Sequence, residues 1–184
     1  SLSAEVRPQV GGIIQKRLFT EGDMVKAGQA LYQIDPSSYR AAYNEAAAAL
    51  KQAQSLVVSD CQKAQRYAAL VKDNGVSRQD ADDALSTCNQ DKASVESKKA
   101  ALESARINLN WTTVTAPIAG RIGISSVTPG ALVSADQDTA LATIRGLDTM
   151  YVDLTRSSVD LMRLRKQALA TNDNTLSVSL TLED

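Results

Sequence analysis

The stretch VTAPIAGRIGISSVTPGALV (residues 114–133) decides the fold, because it repeats the pattern of VRPQVGGIIQKRLFTEGDMV (residues 6–25). Four identities share one constant offset: Val6 with Val114, Gly12 with Gly120, Gly22 with Gly130, and Val25 with Val133. After a slip of two residues, Leu31 matches Leu141 and Ile34 matches Ile144. Each copy has an apolar-Gly-apolar start, a polar-Gly turn and then alternating apolar residues, which predicts short strands joined by tight turns.

One copy of this pattern cannot bury its own apolar face, because isolated hairpins are marginally stable in water. We therefore expect the two copies to lie face to face in a small β-sandwich. The alternative is a chance similarity between two glycine-containing β segments. Four identities without a gap favour the repeat.

Two long Ala-rich segments, residues 36–73 and 77–109, lie between the copies and are predicted to be helical. Asp35 is expected to be the N-cap of the first helix, with Pro36 as its first residue. The dipeptide Asn74-Gly75 is expected to end that helix. The sandwich is therefore interrupted by a helical hairpin.

The predicted hairpin is closed by a turn of a few residues. Ser77 is expected to cap the second helix, with Asp80 three residues later in the manner of a capping box. A heptad repeat of mostly small apolar residues predicts a narrow coiled-coil seam. Its members are Leu50, Val57, Ala64 and Val71, followed by Ala81, Cys88, Val95, Leu102 and Leu109.

The two predicted helices are unusually long for a chain of this size. At about 1.5 Å per residue, the hairpin extends roughly 50 Å. One interpretation is a solvated coil that dimerises. The other, which we favour, is that the hairpin carries its tip far from the sandwich, to a place where the tip meets a partner.

Composition excludes several classes of function. The chain has 184 residues and a net charge of −1, which argues against a nucleic-acid binder. It has no His, so the commonest general base and most zinc sites are absent from the sequence. We expect no catalytic residues, cofactor or metal. No apolar run is long enough to span a membrane, no signal peptide is present, and the chain begins with Ser, so we expect a mature or trimmed chain.

Five segments carry a resemblance to a known family: AEVRPQVGGII, EGDMVKAGQALYQIDPSSY, ESARINLNWTTVTAPIAGRIG, VTPGALV and MYVDLTRSS. The chain resembles the periplasmic adaptors, or membrane fusion proteins, of tripartite RND-type multidrug efflux pumps, and is similar to the AcrA/MexA-like group. The resemblance implies an α+β fold. A split lipoyl-like β-sandwich over residues 4–35 and 110–146 would hold an inserted antiparallel coiled-coil hairpin over residues 36–109. The start of a β-barrel domain would follow over residues 147–184.

The same resemblance implies a non-enzymatic adaptor, placed in the periplasm and attached to the inner membrane in the full-length protein. Its partners would be an inner-membrane RND transporter, a TolC-like outer-membrane channel and further copies of itself in a hexamer, with no nucleic acid. An adaptor of an ABC-type exporter is the closest alternative. A lipoyl or biotinyl carrier is less consistent, because Lys16 and Lys26 lie outside the Asp-Lys-Ala and Met-Lys-Met contexts of carrier lysines.

The resemblance also assigns the hairpin tip. Family adaptors carry an Arg, a Leu four residues later and a Ser after seven more, and these dock onto the channel. Arg66, Leu70 and Ser77 fit that spacing, with Val76 as an apolar companion. Ordinary alternatives remain open: a surface charge for Arg66, seam packing for Leu70 and a pure N-cap for Ser77.

A second assignment concerns subunit contacts. Family adaptors use the edge of the second half-sandwich between neighbouring copies, and Arg121 is a charge on an otherwise apolar turn there. Arg121 is therefore expected to contact a neighbouring subunit. A solvated turn arginine is the alternative.

The two cysteines of the chain lie on different arms of the hairpin. Cys61 precedes Gly75 by almost the same number of positions by which Cys88 follows it, so an antiparallel hairpin with a short turn brings them opposite each other. In the oxidising periplasm we expect a disulfide between them that stiffens the hairpin and has no redox role. If the register slips by half a turn, they would instead be two small buried residues that never bond.

Overall fold

The computed structural model describes residues 2–135 and 137–146, in which strands flank a long helical hairpin. In chain order the elements are β1 (Ser3–Val6), β2 (Gly12–Arg17), β3 (Met24–Val25), β4 (Ala30–Ile34), α1 (Ser37–Val71), α2 (Arg78–Trp111), β5 (Thr113–Thr115), β6 (Gly120–Ile122), β7 (Leu132–Val133) and β8 (Ala142–Arg145). The β-barrel expected over residues 147–184 lies outside the described residues.

The eight described strands form two four-stranded sheets, in the orders β1-β8-β6-β3 and β5-β4-β2-β7. Each sheet takes two strands from each copy of the repeat. The two copies therefore interlock and do not form one sheet each, as a simple face-to-face arrangement would require. Within a copy only β2 with β4 and β6 with β8 are paired, and pairing across the copies gives the remaining strands β1, β3, β5 and β7 their partners.

The repeat in the sequence is a repeat in the hydrogen bonding. The Gly22 N–H donates to the Ile122 carbonyl over 3.0 Å, and the Gly130 N–H donates to the Ile14 carbonyl over 2.7 Å. The offset that relates Gly22 to Gly130 also relates Ile14 to Ile122. Each of the two hydrogen bonds is therefore the counterpart of the other in the repeat. The similarity of the two segments therefore reflects an approximate twofold axis through the sandwich, and the prediction of a sandwich built from two related halves is confirmed.

The core of the sandwich is made by the apolar residues that the repeat pairs. Leu31, Ile34, Leu141 and Ile144 are fully buried. The Tyr32 hydroxyl, also buried, donates to the Leu141 carbonyl over 3.0 Å, which satisfies the one polar atom that the large side chain brings into the core. Corresponding strands thus supply corresponding core residues.

The start of α1 differs by one residue from the sequence prediction. The helix begins at Ser37, and Pro36 occupies the cap position without a side-chain cap. Asp35 instead accepts from the Ser37 N–H over 3.0 Å and from the Ser37 hydroxyl over 2.6 Å. These two hydrogen bonds lower the pKa of Asp35. Asp35 therefore stabilises the first turn from one position further out than a standard N-cap.

Fewer of the predicted heptad residues are buried in the hairpin seam than the pattern predicted. The fully buried seam residues are the small side chains Ala53, Ala64, Ala84, Cys88 and Val95. The larger predicted members, Leu50, Val57, Val71, Leu102 and Leu109, are only half-buried, as is Ala81. Both flanks of a two-helix hairpin are open to solvent, so small residues at the closest approach are covered while longer side chains protrude.

A disulfide joins Cys61 and Cys88, as the count from the tip predicted, and their Cα atoms are 4.7 Å apart. Replacing both cysteines by serine is expected to destabilise the hairpin by about 3–4 kcal/mol, because the unfolded chain regains the entropy of an open loop. Denaturant unfolding followed by helical circular dichroism measures this loss. Reduced wild-type protein is the matched control and should behave like the double variant. Equal unfolding midpoints for oxidised and reduced protein would contradict the stabilising role.

Candidate functional site

The hairpin tip is closed by backbone geometry on its first side. α1 ends at Val71, and Asn74 adopts the left-handed conformation with φ of 54°. The Gly75 N–H then donates to the Leu70 carbonyl over 2.9 Å, which satisfies an end carbonyl of the helix. The dipeptide Asn74-Gly75 ends the helix in the way the sequence predicted.

Ser77 closes the other side of the tip. Its Oγ accepts from the Asp80 N–H over 3.0 Å, and its hydroxyl donates to the Asp80 carboxylate over 2.6 Å. Ser77 is therefore the N-cap of α2, as expected. Its hydroxyl lies at the exposed tip, and the hydroxyl proton is donated to the Asp80 carboxylate.

Arg66 and Leu70 lie on one exposed strip of α1, because residues four apart share a helix face. The Leu70 side chain is 43% exposed, so it is not a seam residue. Arg66 is exposed and belongs to none of the salt bridges found among the described residues. Val76 is half-buried in the turn, and Ser77 follows it at the start of α2. The four predicted tip residues thus supply a cation, two apolar side chains and a hydroxyl, two of them from the C-terminal part of α1 and two from the turn.

Arg121 lies in the outward row of the first sheet. In the strand register it is opposite Arg145 on β8 and opposite Met24 on β3, and all three side chains are exposed. Two like charges opposite each other destabilise an isolated sheet. Arg121 and Arg145 line an open depression of about 830 Å³ together with Ile124, which is 81% exposed. We call Met24, Arg121 and Arg145 the basic row.

The twofold axis relates the basic row to a row of different chemistry on the second sheet. At the equivalent positions, Leu132 and Ile13 are paired in register and are 75% and 50% exposed. Asp35 is the equivalent of Arg145, and its N–H donates to the Ile13 carbonyl over 2.9 Å. We call Ile13, Leu132 and Asp35 the apolar row, after its two exposed apolar members. The sequence analysis did not single it out, although exposed apolar residues next to repeat glycines were its signal.

Within residues 2–135 and 137–146, no helix combines the length and apolar character needed to cross a bilayer. The same part of the chain holds no cluster of three metal-ligating side chains.

The family described as "RND MFP, barrel-sandwich hybrid domain" matches residues 3–145. The chain belongs to the RND membrane fusion proteins. The resemblance found in the sequence is thereby confirmed, and so is the expected fold class of a split sandwich with an inserted hairpin.

Two relatives of this membrane fusion protein share about half of its residues. It is 51% identical to the multidrug efflux pump subunit AcrA of Escherichia coli over 164 residues, which is 89% of this chain and 41% of that protein. It is 50% identical to the multidrug resistance protein MexA of Pseudomonas aeruginosa over 186 residues, which is 98% of this chain and 45% of that protein. The chain thus spans less than half the length of either relative.

A solved structure of a membrane fusion protein from Streptococcus pneumoniae shares the fold. The TM-score is 0.57 and the sequence identity is 21%, with 78% of this chain and 62% of that chain covered. At this identity the likeness concerns the fold, and it agrees with an inserted hairpin in a barrel-sandwich hybrid.

Proposed function

We propose that the full-length protein is a non-enzymatic periplasmic adaptor of a multidrug efflux pump, which links an inner-membrane RND transporter to a TolC-like outer-membrane channel. The observation that carries this proposal is family membership together with 51% identity to an efflux pump subunit. The hairpin supplies the physical means, since two helices of 35 and 34 residues reach roughly 50 Å from the sandwich.

The proposed division of labour follows the chain. Residues 4–35 and 110–146 form the lipoyl-like sandwich that stacks into a ring, and residues 36–109 form the hairpin that reaches the channel. Residues 147–184 are proposed to begin the β-barrel domain, and the full-length protein is proposed to be attached to the inner membrane. Six copies would enclose a lumen through which drugs pass without a stable complex at any one residue.

The tip is proposed as the surface that docks onto the channel. Arg66 offers several donors in a fixed geometry, which suits backbone carbonyls at the ends of facing helices. Leu70 would add an apolar contact from the same helix face, and Val76 would extend it. The Ser77 Oγ caps α2 and can still accept a hydrogen bond from the partner.

The ring contact is proposed to join the basic row of one copy to the apolar row of the next. The two rows lie on different sheets, so such a contact is head-to-tail and closes into a ring when the rotation permits. Met24 and Ile124 would meet apolar partners, and Arg145 would approach Asp35. This arrangement brings the carboxylate of Asp35 to the paired arginines, in addition to Glu21 of their own subunit, which lines the same depression.

Replacing Arg121 with alanine is expected to weaken the hexamer. The side chain would no longer contribute its contacts across the interface, while the exposed position leaves the fold intact. Chemical crosslinking of the full-length protein in cells measures the yield of the six-copy species. Lys26→Ala, also exposed on the sandwich but outside the depression, is the matched control. Unchanged hexamer yield in the Arg121 variant would remove this residue from the interface.

Deletion and complementation test the function as a whole. A strain without the gene should become sensitive to several unrelated drugs, and the full-length gene should restore resistance. Resistance that depends on an ABC-type exporter would point to the other adaptor class. No change in sensitivity to any drug would contradict a role in efflux.

A further inference from the structure

Two aspartates lie beside the disulfide, one on each helix of the hairpin. Asp60 precedes Cys61 on α1, and Asp91 lies three residues after Cys88 on α2. Both aspartates are half-buried, on a seam whose fully covered positions are small and apolar. Neither residue was singled out by the heptad pattern.

One oxygen of this pair has no hydrogen-bond donor. The Asp91 Oδ2 atom is sealed from solvent and has no partner among the described residues. A buried unpaired carboxylate oxygen is costly, and two ionised carboxylates cannot satisfy each other because neither has a proton to donate. If Asp91 carries a proton, it can donate to the carboxylate of Asp60, the neighbouring acidic group that raises the pKa of Asp91.

The pair has charged neighbours of both signs, since Lys63 of α1 and Asp80 and Asp83 of α2 line one small cavity with Asp60. Asp60 is the charged group of α1 that acts on Asp91, and its Oδ1 accepts from the Ser59 hydroxyl over 3.3 Å. Lys63, the next cation along α1, has its ammonium 5.4 Å from the centre of the Tyr67 ring. Lys92 follows Asp91 on α2 and is exposed. None of the salt bridges in the described residues includes either aspartate.

We propose that Asp60 and Asp91 share one proton across the seam, which makes the middle of the hairpin a pH-responsive element. With the proton present, a short carboxyl–carboxylate hydrogen bond joins the two helices. When the proton is lost, two negative charges face each other and the seam loosens there. The neighbouring disulfide keeps the helices together in that state.

The direction of the pH effect follows from the position of Asp91. Burial, and then the Asp60 carboxyl, raise the pKa of Asp91 above its ordinary value. Between the pKa of the unfolded chain and the higher pKa of the folded chain, the folded state holds more protons. The contribution of Asp91 to hairpin stability is therefore fully present below the ordinary Asp range, and it is lost as the pH rises through the folded pKa of Asp91.

Carboxyl-carbon nuclear magnetic resonance titration of the whole chain tests the shared proton directly, over about pH 3 to about pH 8. In wild-type protein, Asp91 should titrate clearly above the ordinary Asp range. In Asp60→Asn, the amide can donate to an ionised Asp91, so the Asp91 titration should move back down. Ordinary titration of Asp91 in the wild type, or a titration that Asp60→Asn leaves unchanged, would overturn the proposal.

Reduction of the disulfide reports the loosening of the seam. The ratio of the wild-type reduction rate to that of Asp91→Asn should increase severalfold as the pH rises through the Asp91 titration measured by nuclear magnetic resonance, and the ratio cancels the reductant's own pH dependence. The corresponding ratio for Asp82→Asn, an exposed aspartate of the same helix, should stay constant. A flat ratio for Asp91→Asn would overturn the link between the proton and the hairpin.

Discussion

Arg66→Asp in the full-length protein is expected to abolish the drug resistance that the wild type supports, while folding and abundance stay normal. Arg66 is exposed and has no salt bridge among the described residues, so the hairpin itself loses nothing. At the proposed channel contact, the change removes every guanidinium donor and sets an anion against carbonyl oxygens. Truncating one member of a buried, charged contact costs about 2–5 kcal/mol of binding free energy. A loss of this size is enough to leave an interface of moderate affinity largely unoccupied.

Drug susceptibility in a strain that lacks the chromosomal gene measures this effect. Lys51→Asp makes the same change of charge on the same helix, far from the tip, and should keep resistance. Val76→Ala should have a smaller effect than Arg66→Asp, since it removes only part of an apolar contact. Resistance that survives in Arg66→Asp at normal protein level would remove the strongest member of the tip.

Gly120→Ala is expected to destabilise the sandwich by about 3 kcal/mol or more. A Cβ atom at Gly120 would clash with the backbone carbonyl of Arg145. The clash is with the backbone of the paired strand, which cannot move aside as a flexible side chain can. The φ of 155° adds strain for any residue with a side chain. Because β6 and β8 form the middle of their sheet, their separation would open the core.

Urea unfolding of the full chain measures this loss, with Gly123→Ala, directly after the same strand, as the control. A Cβ atom at Gly123 would lie 3.3 Å from the nearest atom, the Thr143 carbonyl oxygen, and its φ is not positive. Gly12→Ala tests the repeat partner. There the Cβ atom would meet a methyl group of Ile34 at 2.6 Å, and a side chain can shift, so a smaller loss is expected. Equal losses in all three variants would contradict the backbone clash.

The sequence predicted the sandwich because the turns repeat at one offset and the last core residues repeat after a slip of two positions. The structure extends the repeat to side chains that the alignment did not use. The Gln29 side chain accepts from the Lys26 N–H, and the Gln137 side chain accepts from the Ser134 N–H, both over 3.0 Å. The exchange of strands between sheets could not be predicted, because similarity between two halves does not say whether strands pair within or across them.

The hairpin was predicted less completely than the sandwich. Counting outward from Gly75 located the disulfide, because equal distances from a short turn fix the antiparallel register. Heptads identify one row of each helix, whereas an antiparallel pair packs two rows. Ala53 and Ala84 were therefore missed, and the pairing of Asp60 with Asp91 was missed for the same reason.

Photocrosslinking from the hairpin tip tests the central claim most directly. A photoreactive residue would replace Val76 in the full-length protein, and adducts formed in living cells would be purified with the protein and identified by mass spectrometry. The account predicts an adduct with a TolC-like outer-membrane channel, lost in Arg66→Asp, and an RND transporter among the co-purified proteins. Adducts formed only with other copies of the protein, with no outer-membrane channel recovered, would contradict it.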